Sequence, residues 1–163
     1  ADAVGMRKGS LYYYIEGKDE LLRRLMERAT SFMAAEIDRA YASDLPPARK
    51  LRWALENHAV TMMEHLDLVA IYLHEYRNLP PKRMAVALAV RKHYEQVLMQ
   101  IVEDGIALGE FRAVNVKMAV FGMLGMLNWT HQWFSPGGSL SSTDVATTFA
   151  DLALHGLTRR SDG

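Results

Sequence analysis

The sequence predicts an all-α protein, and two observations support this fold class. Apolar residues recur at intervals of three and four along most of the chain, the spacing of one face of an α-helix. Proline and glycine residues divide these stretches, and no alternating apolar pattern of useful length indicates a β-strand. The predicted helices span residues 18–43, 48–65, 66–79, 82–108 and 116–134, with a last helix that ends near residue 157.

The ends and inward faces of these helices are also predictable. Gly109 is the expected stop of the fourth helix, and Asn115 is a good N-cap for the fifth. Ser141 and Asp144 match a capping box that begins the last helix. The residues expected to point inward are Leu88, Tyr94, Leu98, Ile101 and Val102 in the fourth helix, and Val145, Phe149, Leu152, Ala153 and Leu157 in the last.

Length and composition are those of an ordinary globular protein. The 163 residues are 50% apolar and 23% charged, enough for one sizeable core with or without a small appendage. The absence of cysteine excludes disulfides and thiolate metal sites. The net charge of zero argues mildly against a nucleic-acid binder, although a small basic surface can sit on a neutral body.

The sequence predicts a cytoplasmic protein. The longest apolar run, Met118 to Leu127, is about ten residues, and a helix needs about twenty to span a bilayer. No signal-peptide pattern opens the chain. Residues 1–3 instead read as the last turn of a helix whose beginning is missing, so we expect a fragment, or a chain represented by its ordered part.

A dense polar stretch near the start is the strongest functional signal. Gly5 can adopt the positive φ that a sharp turn between helices needs. Residues 7–14 then carry two cations, a hydroxyl and three tyrosines on about two turns of helix. Leu11 and Ile15 can bury one face, which leaves the cations and hydroxyls for phosphates and base edges. A solvated helical hairpin with an aromatic core is the alternative.

This stretch resembles the second half of the helix-turn-helix of TetR-family transcriptional repressors. The matching residues run Val-Gly-Met-Arg-Lys-Gly-Ser-Leu-Tyr-Tyr-Tyr-Ile at 4–15 and Lys-Asp-Glu-Leu-Leu at 18–22, with Tyr14 and Ile15 departing from the commoner His and Phe. The resemblance implies a homodimeric repressor that binds palindromic operator DNA and is released by a small effector. The DNA-binding residues that it implies are Arg7, Lys8, Gly9, Ser10, Tyr12, Tyr13, Tyr14 and Lys18.

The same resemblance divides the chain into two parts. Residues 1–17 correspond to the C-terminal part of the DNA-binding domain, and residues 18–163 to a ligand-binding and dimerisation domain. The helix over 18–43 would connect the two. The expected fold is therefore a partial helix-turn-helix head joined by a long helix to an antiparallel helical bundle.

The helix predicted over 116–134 is apolar nearly all round, so it must be buried on every side. A second copy of the chain could cover it, through an isologous four-helix interface made by the last two helices. The expected interface residues are Val120, Leu124, Leu127, Phe149, Leu152 and Ala153. A central core helix in a monomer is the alternative.

Methionine and aromatic residues exceed what packing needs and predict a small-molecule pocket. Residues 128–138 are similar to a stretch of TetR-family members that sense acyl-coenzyme A esters, and this resemblance implies such an effector. The expected ligand-binding residues are Met62, Tyr72, Tyr76, Arg77, Arg91, Tyr94, Leu98, Met123, Asn128, Trp129, Gln132 and Trp133. Taken singly, most of the apolar residues could equally be core, and each arginine a solvated charge.

No pattern of catalytic or metal-binding residues accompanies this pocket. A zinc-protease helix, a glycine-rich phosphate loop and a nucleophile elbow are all absent. His58, Glu64 and His65 do not converge around a helix, so we expect no metal, cofactor or catalytic site. The alternatives to an acyl-coenzyme A sensor are a multidrug-type sensor and, from other classes, a small helical enzyme or a dimeric interaction module.

Overall fold

The computed structural model describes Arg24, residues 33–75 and residues 81–158. We number its helices in chain order as α1 (33–42), α2 (Pro47–Glu64), α3 (Leu66–Glu75), α4 (Pro81–Ala107), α5 (Val116–Asn128), α6 (Thr130–Trp133) and α7 (Ser142–Leu157). The all-α prediction is confirmed. In this part of the chain, strand-like pairing is confined to one bridge between Phe111 and Thr158. None of its helices combines the length and the apolar character needed to cross a bilayer.

Local capping signals act where the sequence places them. The Asn115 side chain accepts a hydrogen bond from the Met118 N–H, and Ser141 accepts one from the Asp144 N–H. Gly109, just past the end of α4, has a φ of 78°, a conformation that favours glycine. These three predictions are confirmed, because caps depend on residues within one turn of the helix end.

The helix predicted over 116–134 is instead two helices, separated by a turn at Trp129. The Thr130 hydroxyl is fully buried and donates to the carbonyl oxygen of Leu127 at 2.7 Å. A threonine side chain that bonds the backbone in this way competes with the regular helical ladder. The break ends α5 at Asn128 and separates it from the short helix α6.

Helix α2 lies at the centre of the bundle and packs against α7, α4 and α5. Its buried residues are Pro47, Leu51, Ala54, Leu55, His58, Ala59, Met62 and Met63. The N-terminus of α2 begins with proline and has no side-chain cap of its own. The Glu110 carboxylate, from the loop after α4, accepts the Ala48 N–H at 2.9 Å and satisfies one of the free donors there.

Two predicted inward positions are wrong. Leu88 is 47% exposed, and Ala87 occupies the buried position instead. Ala87, Tyr94 and Leu98 share one helical face, whereas Leu88 lies about 100° around the helix from Ala87. In α7, Leu152 is 59% exposed, and the face turned to the core holds Val145, Ala146, Ala150, Leu154 and Leu157.

The end of α4 and the loop after it are joined to the end of α7 by packing and hydrogen bonds. Phe111 is fully buried against Gly105, and its N–H donates to the Gly105 carbonyl at 3.0 Å. A Cβ at position 105 would lie 2.2 Å from the Phe111 ring, so only glycine fits there. Arg112 then bonds the Leu157 and Gly156 carbonyls, which joins the two ends of the bundle.

Candidate functional site

Three polar side chains from three helices meet where the buried core reaches the surface, and we call them the His58 cluster. His58 comes from the middle of α2, Tyr94 from the middle of α4, and Asn128 is the last residue of α5. His58 Nδ1 lies 3.0 Å from Tyr94 Oη, and His58 Nε2 lies 3.0 Å from Asn128 Oδ1. A single imidazole therefore links three helices.

The partners of His58 define its tautomer. Asn128 Oδ1 can only accept, so Nε2 carries the proton and donates it to Asn128. Nδ1 is then an acceptor, and the Tyr94 hydroxyl donates to it. The Tyr94 hydroxyl thus holds the imidazole in the form whose N–H points towards position 128.

Burial keeps the cluster uncharged at neutral pH. His58 is only 5% exposed, and removal from water lowers its pKa from 6.5 to about 4, against a smaller opposing effect of the Asn128 hydrogen bond. Burial also raises the pKa of Tyr94 well above its usual range. Because both groups stay neutral, the cluster offers hydrogen bonding rather than acid–base chemistry near pH 7.

Buried apolar residues lie near the members of this cluster on the same three helices. Met62 lies one turn after His58 on α2 and is buried, as are Leu98 on α4 and Met123 on α5. Tyr94, Leu98 and Met123 belong to the same continuous core cluster. An apolar enclosure with a few placed polar groups is the usual character of a small-molecule site.

The structure divides the predicted ligand-binding residues into three groups. Met62, Tyr94, Leu98 and Met123 are buried in the core, and the exposed residue Asn128 reaches it through its bond to His58. Arg91, Trp129, Gln132 and Trp133 are exposed at the surface. Tyr76 and Arg77 lie outside the described residues, and Tyr72 lies in α3.

The residues of the surface group contact other side chains. Arg91 Nε pairs with Glu95 at 2.7 Å. Trp129 lies edge-on to His131, whose ring in turn contacts Gln132. Trp133 packs edge-on against Phe149 of α7, with ring centroids 6.2 Å apart. Trp129, Gln132 and Trp133 thus make their contacts around α6 and α7, whereas Arg91 makes this contact along α4.

A separate cleft of about 530 Å³ opens between the α1–α2 turn and the end of α4. It is lined by Asp44, Leu45, Pro46, Pro47, Lys50, Ile101, Asp104, Ala107, Leu108 and Glu110. None of these residues was predicted to bind ligand. Within the described ranges, no group of three or more histidine, aspartate or glutamate side chains could hold a metal ion.

The predicted interface residues also separate by burial. Val120 and Leu127 are fully buried and Leu124 nearly so, all within this one chain. In the single protomer these three positions are therefore core residues, and their contact with a partner stays a prediction. Leu152 is exposed, and Phe149 and Ala153 are half-buried. The exposed apolar face of α5 and α7, which we call the outward face, consists of Met118, Phe121, Gly122, Gly125 and Leu152.

The predicted DNA-binding residues, Arg7, Lys8, Gly9, Ser10, Tyr12, Tyr13, Tyr14 and Lys18, all lie outside the described residues. His58 is the functional candidate that the sequence prediction missed. Its position on the apolar stripe of α2, between Leu55 and Met62, marked it as buried. Its partners come from 36 and 70 residues away, so no local pattern shows them.

Comparison with known proteins decides the family. Residues 44–157 match the domain described as "Tetracyclin repressor-like, C-terminal domain". The chain belongs to the TetR family. This is a family of transcriptional regulators, and membership supports a regulatory rather than an enzymatic role.

Two TetR-family regulators, PfmR and KstR2, are similar to this chain in sequence and structure. It is 32% identical to PfmR from Thermus thermophilus, with a TM-score of 0.87 over 98% of this chain and 87% of that one. It is 28% identical to the repressor KstR2 of Rhodococcus jostii over 96% of this chain and 78% of the relative. The structure of the ketosteroid transcriptional regulator KstR2 of Mycobacterium tuberculosis shares the fold, at 23% identity and a TM-score of 0.90, over 98% of this chain and 83% of that one.

A third regulator, AibR, was crystallised with a ligand. AibR, solved in complex with isovaleryl coenzyme A and operator DNA, is 25% identical, with a TM-score of 0.78 over 90% of this chain and 80% of that one. The likeness covers most of both chains.

Proposed function

We propose that this TetR-family regulator is a homodimeric repressor that an acyl-coenzyme A ester releases from palindromic operator DNA. The acyl chain enters the bundle beside Met62, Tyr94 and Met123. The observation that carries the proposal is the His58 cluster, a neutral hydrogen-bonding centre enclosed by apolar side chains from α2, α4 and α5.

The enclosure favours a long apolar ligand part. Met62 and Met123 have flexible thioether side chains, which adapt to ligands of irregular shape. Each buried CH₂ of a ligand contributes about 0.8 kcal/mol, so affinity should rise with acyl chain length until the space is full. The buried part of the ligand carries no charge in this proposal, because His58 and Tyr94 are both neutral.

The coenzyme A part requires cations near the entrance. Arg77 and Arg91 are the candidates from the sequence, since guanidinium groups bind phosphate through paired hydrogen bonds. Arg91 is exposed and pairs with Glu95, so phosphate binding there would exchange one ion pair for another. The AibR complex with isovaleryl coenzyme A supports this class of effector by analogy within the family.

The outward face supports a homodimer. Met118 is 65% exposed, and Phe121 on the same helix and Leu152 on α7 are further exposed apolar residues. Gly122 and Gly125 are exposed between them, with nothing within 4 Å of a Cβ built at either position. A two-fold related copy could therefore bring its α5 close to these glycines and complete a four-helix interface.

Regulation then follows from two states of the dimer. One state holds the two recognition helices about 34–36 Å apart, the distance of one turn of DNA. The effector binds the other state better and shifts the population away from the operator. In this proposal residues 1–17 belong to the DNA-binding domain and residues 18–163 to the effector and dimer domain.

A second candidate effector is a ketosteroid. The relative KstR2 is matched in both sequence and structure, and its M. tuberculosis form is a ketosteroid transcriptional regulator. A steroid skeleton is apolar and carries an uncharged ketone, which suits the same neutral enclosure. A multidrug sensor of cationic compounds fits less well, because the buried cluster presents no negative charge.

Calorimetric titration separates these possibilities. Acyl-coenzyme A esters of increasing chain length should bind with rising affinity, and free fatty acid or free coenzyme A should each bind much more weakly. A ketosteroid and a panel of cationic dyes are titrated beside them. Flat affinity across the ester series, or tighter binding of the steroid or of any dye, would refute the acyl-coenzyme A assignment.

A further inference from the structure

The two bonds of His58 differ in how easily they can be replaced. His58 and Tyr94 are both buried, and each comes from the middle of a long helix. Asn128 is exposed, ends α5, and precedes the turn at Trp129. Its side chain can therefore move away without breaking a helix. Moving either of the other two side chains would disturb the core.

Displacement of Asn128 would leave His58 without its hydrogen-bond acceptor. The His58 N–H would become a buried donor without an acceptor, which is costly, and in the described part of the chain every buried side-chain polar atom has a partner. A replacement acceptor must be uncharged, because the neutral His58 has no counter-charge to offer an anion. It must also match the amide carbonyl oxygen that it replaces.

We propose that the His58 Nε2–H is a carbonyl-binding site, which the Asn128 amide fills in this structure and which a carbonyl oxygen of the effector takes over on binding. Tyr94 is the positioning residue, because its hydroxyl holds the proton on Nε2. The inference rests on the proposal that the effector enters the helical body. The carbonyl can come from a thioester or from a ketone, because both groups have a carbonyl oxygen that can accept the hydrogen bond.

The exchange also links the site to the outward face. Asn128 ends the same helix that carries Met118, Phe121 and the two exposed glycines. When the ligand carbonyl replaces the amide, α5 loses its polar tie to α2. The position of α5 then depends on whether the site holds Asn128 or the effector, which is the differential contact that a two-state regulator needs.

Matched ligand pairs test the carbonyl site directly. The first pair is an acyl-coenzyme A ester and the thioether of the same chain length, which lacks the carbonyl. The second pair is a ketosteroid and the same ring skeleton without its ketone. In the wild type, the carbonyl member of a binding pair should bind about fivefold more tightly, the effect of one net hydrogen bond.

Substitutions at His58 test the carbonyl preference, and a substitution at Asn128 tests the internal competition. His58→Phe should abolish it, whereas His58→Gln, which keeps an N–H donor at a similar reach, should retain part of it. Asn128→Ala removes the internal competitor that both members of a pair must displace, so it should raise the affinity for both by about fivefold and leave the carbonyl preference unchanged. Asn115→Ala, which shortens an asparagine at the other end of α5, is the matched control and should change neither.

The outcomes separate this inference from the proposed function. Equal binding of ester and thioether to the wild type would overturn the carbonyl site and leave the acyl-coenzyme A proposal intact. A carbonyl preference in the steroid pair alone would support the site and overturn that proposal. Binding by neither pair would overturn both.

A measurement without ligand covers the case in which a His58 variant fails to fold. Nitrogen NMR of the histidine-labelled wild type should show the His58 proton on Nε2, and Tyr94→Phe should shift it partly to Nδ1. A proton on Nδ1 in the wild type would overturn the inference.

Discussion

Replacing His58 should change how stability depends on pH, and the structure gives the size of the effect. In the folded protein the pKa of His58 is about 4, compared with 6.5 for an exposed histidine. Between these values the unfolded chain binds a proton that the folded chain does not. The free energy of unfolding therefore has its full value above pH 6.5. It falls as the pH drops towards 4, by roughly 3 kcal/mol in total.

The perturbation is His58→Gln, which removes this titration while keeping a polar side chain in the cluster. Tyr94, the other titratable group of the cluster, has a raised pKa and remains neutral throughout this range. The free energy of unfolding, measured by denaturant titration at several pH values, should differ most between wild type and variant near pH 7. The difference should shrink by roughly 3 kcal/mol at pH 4.

The control is His65→Gln, which removes an exposed imidazole just beyond the end of α2. It tests whether the loss of any histidine gives the same result. A difference between wild type and His58→Gln that stays constant from pH 7 to pH 4 would refute the reasoning. It would mean that His58 takes up its proton equally in the folded and unfolded chains.

Two further predictions concern packing and assembly. Gly105→Ala should destabilise the protein by about 1 kcal/mol in thermal or denaturant unfolding, because the clash with Phe111 outweighs the better helix propensity of alanine, and unchanged or higher stability would contradict this. Leu152→Glu should convert a wild-type dimer to monomers in sedimentation without loss of helicity, whereas Leu140→Glu, at a similarly exposed position in the loop before α7, should not. A wild-type monomer at micromolar concentration, or a dimeric Leu152→Glu variant, would show that the outward face is not the dimer interface.

The choice of Leu152 shows why burial had to be known before an interface could be tested. Leu124→Glu looks equivalent in the sequence, but Leu124 is 9% exposed in the protomer. A charge there would be buried without a partner and would destabilise the chain whether or not a dimer exists. The sequence pattern shows that α5 is apolar all round but does not show which side its own chain covers.

The sequence by itself determined the helical fold class, most helix ends and the family. Caps and stop signals such as Asn115, Ser141 and Gly109 act within one turn of backbone, so they can be read from neighbouring residues. The resemblance to the TetR family rested on residues at the start of the chain. The match over residues 44–157 confirmed the family independently.

Only the tertiary structure decided which faces are buried and which polar groups meet. Ala87 rather than Leu88 turns inward because the helices packed against α4 fix its direction, and a shift of one residue rotates a side chain by about 100°. His58, Tyr94 and Asn128 are far apart in sequence and come together only when three helices pack. Their neutrality has the same origin, because the pKa of His58 is lowered by burial, and burial is a property of the assembled bundle.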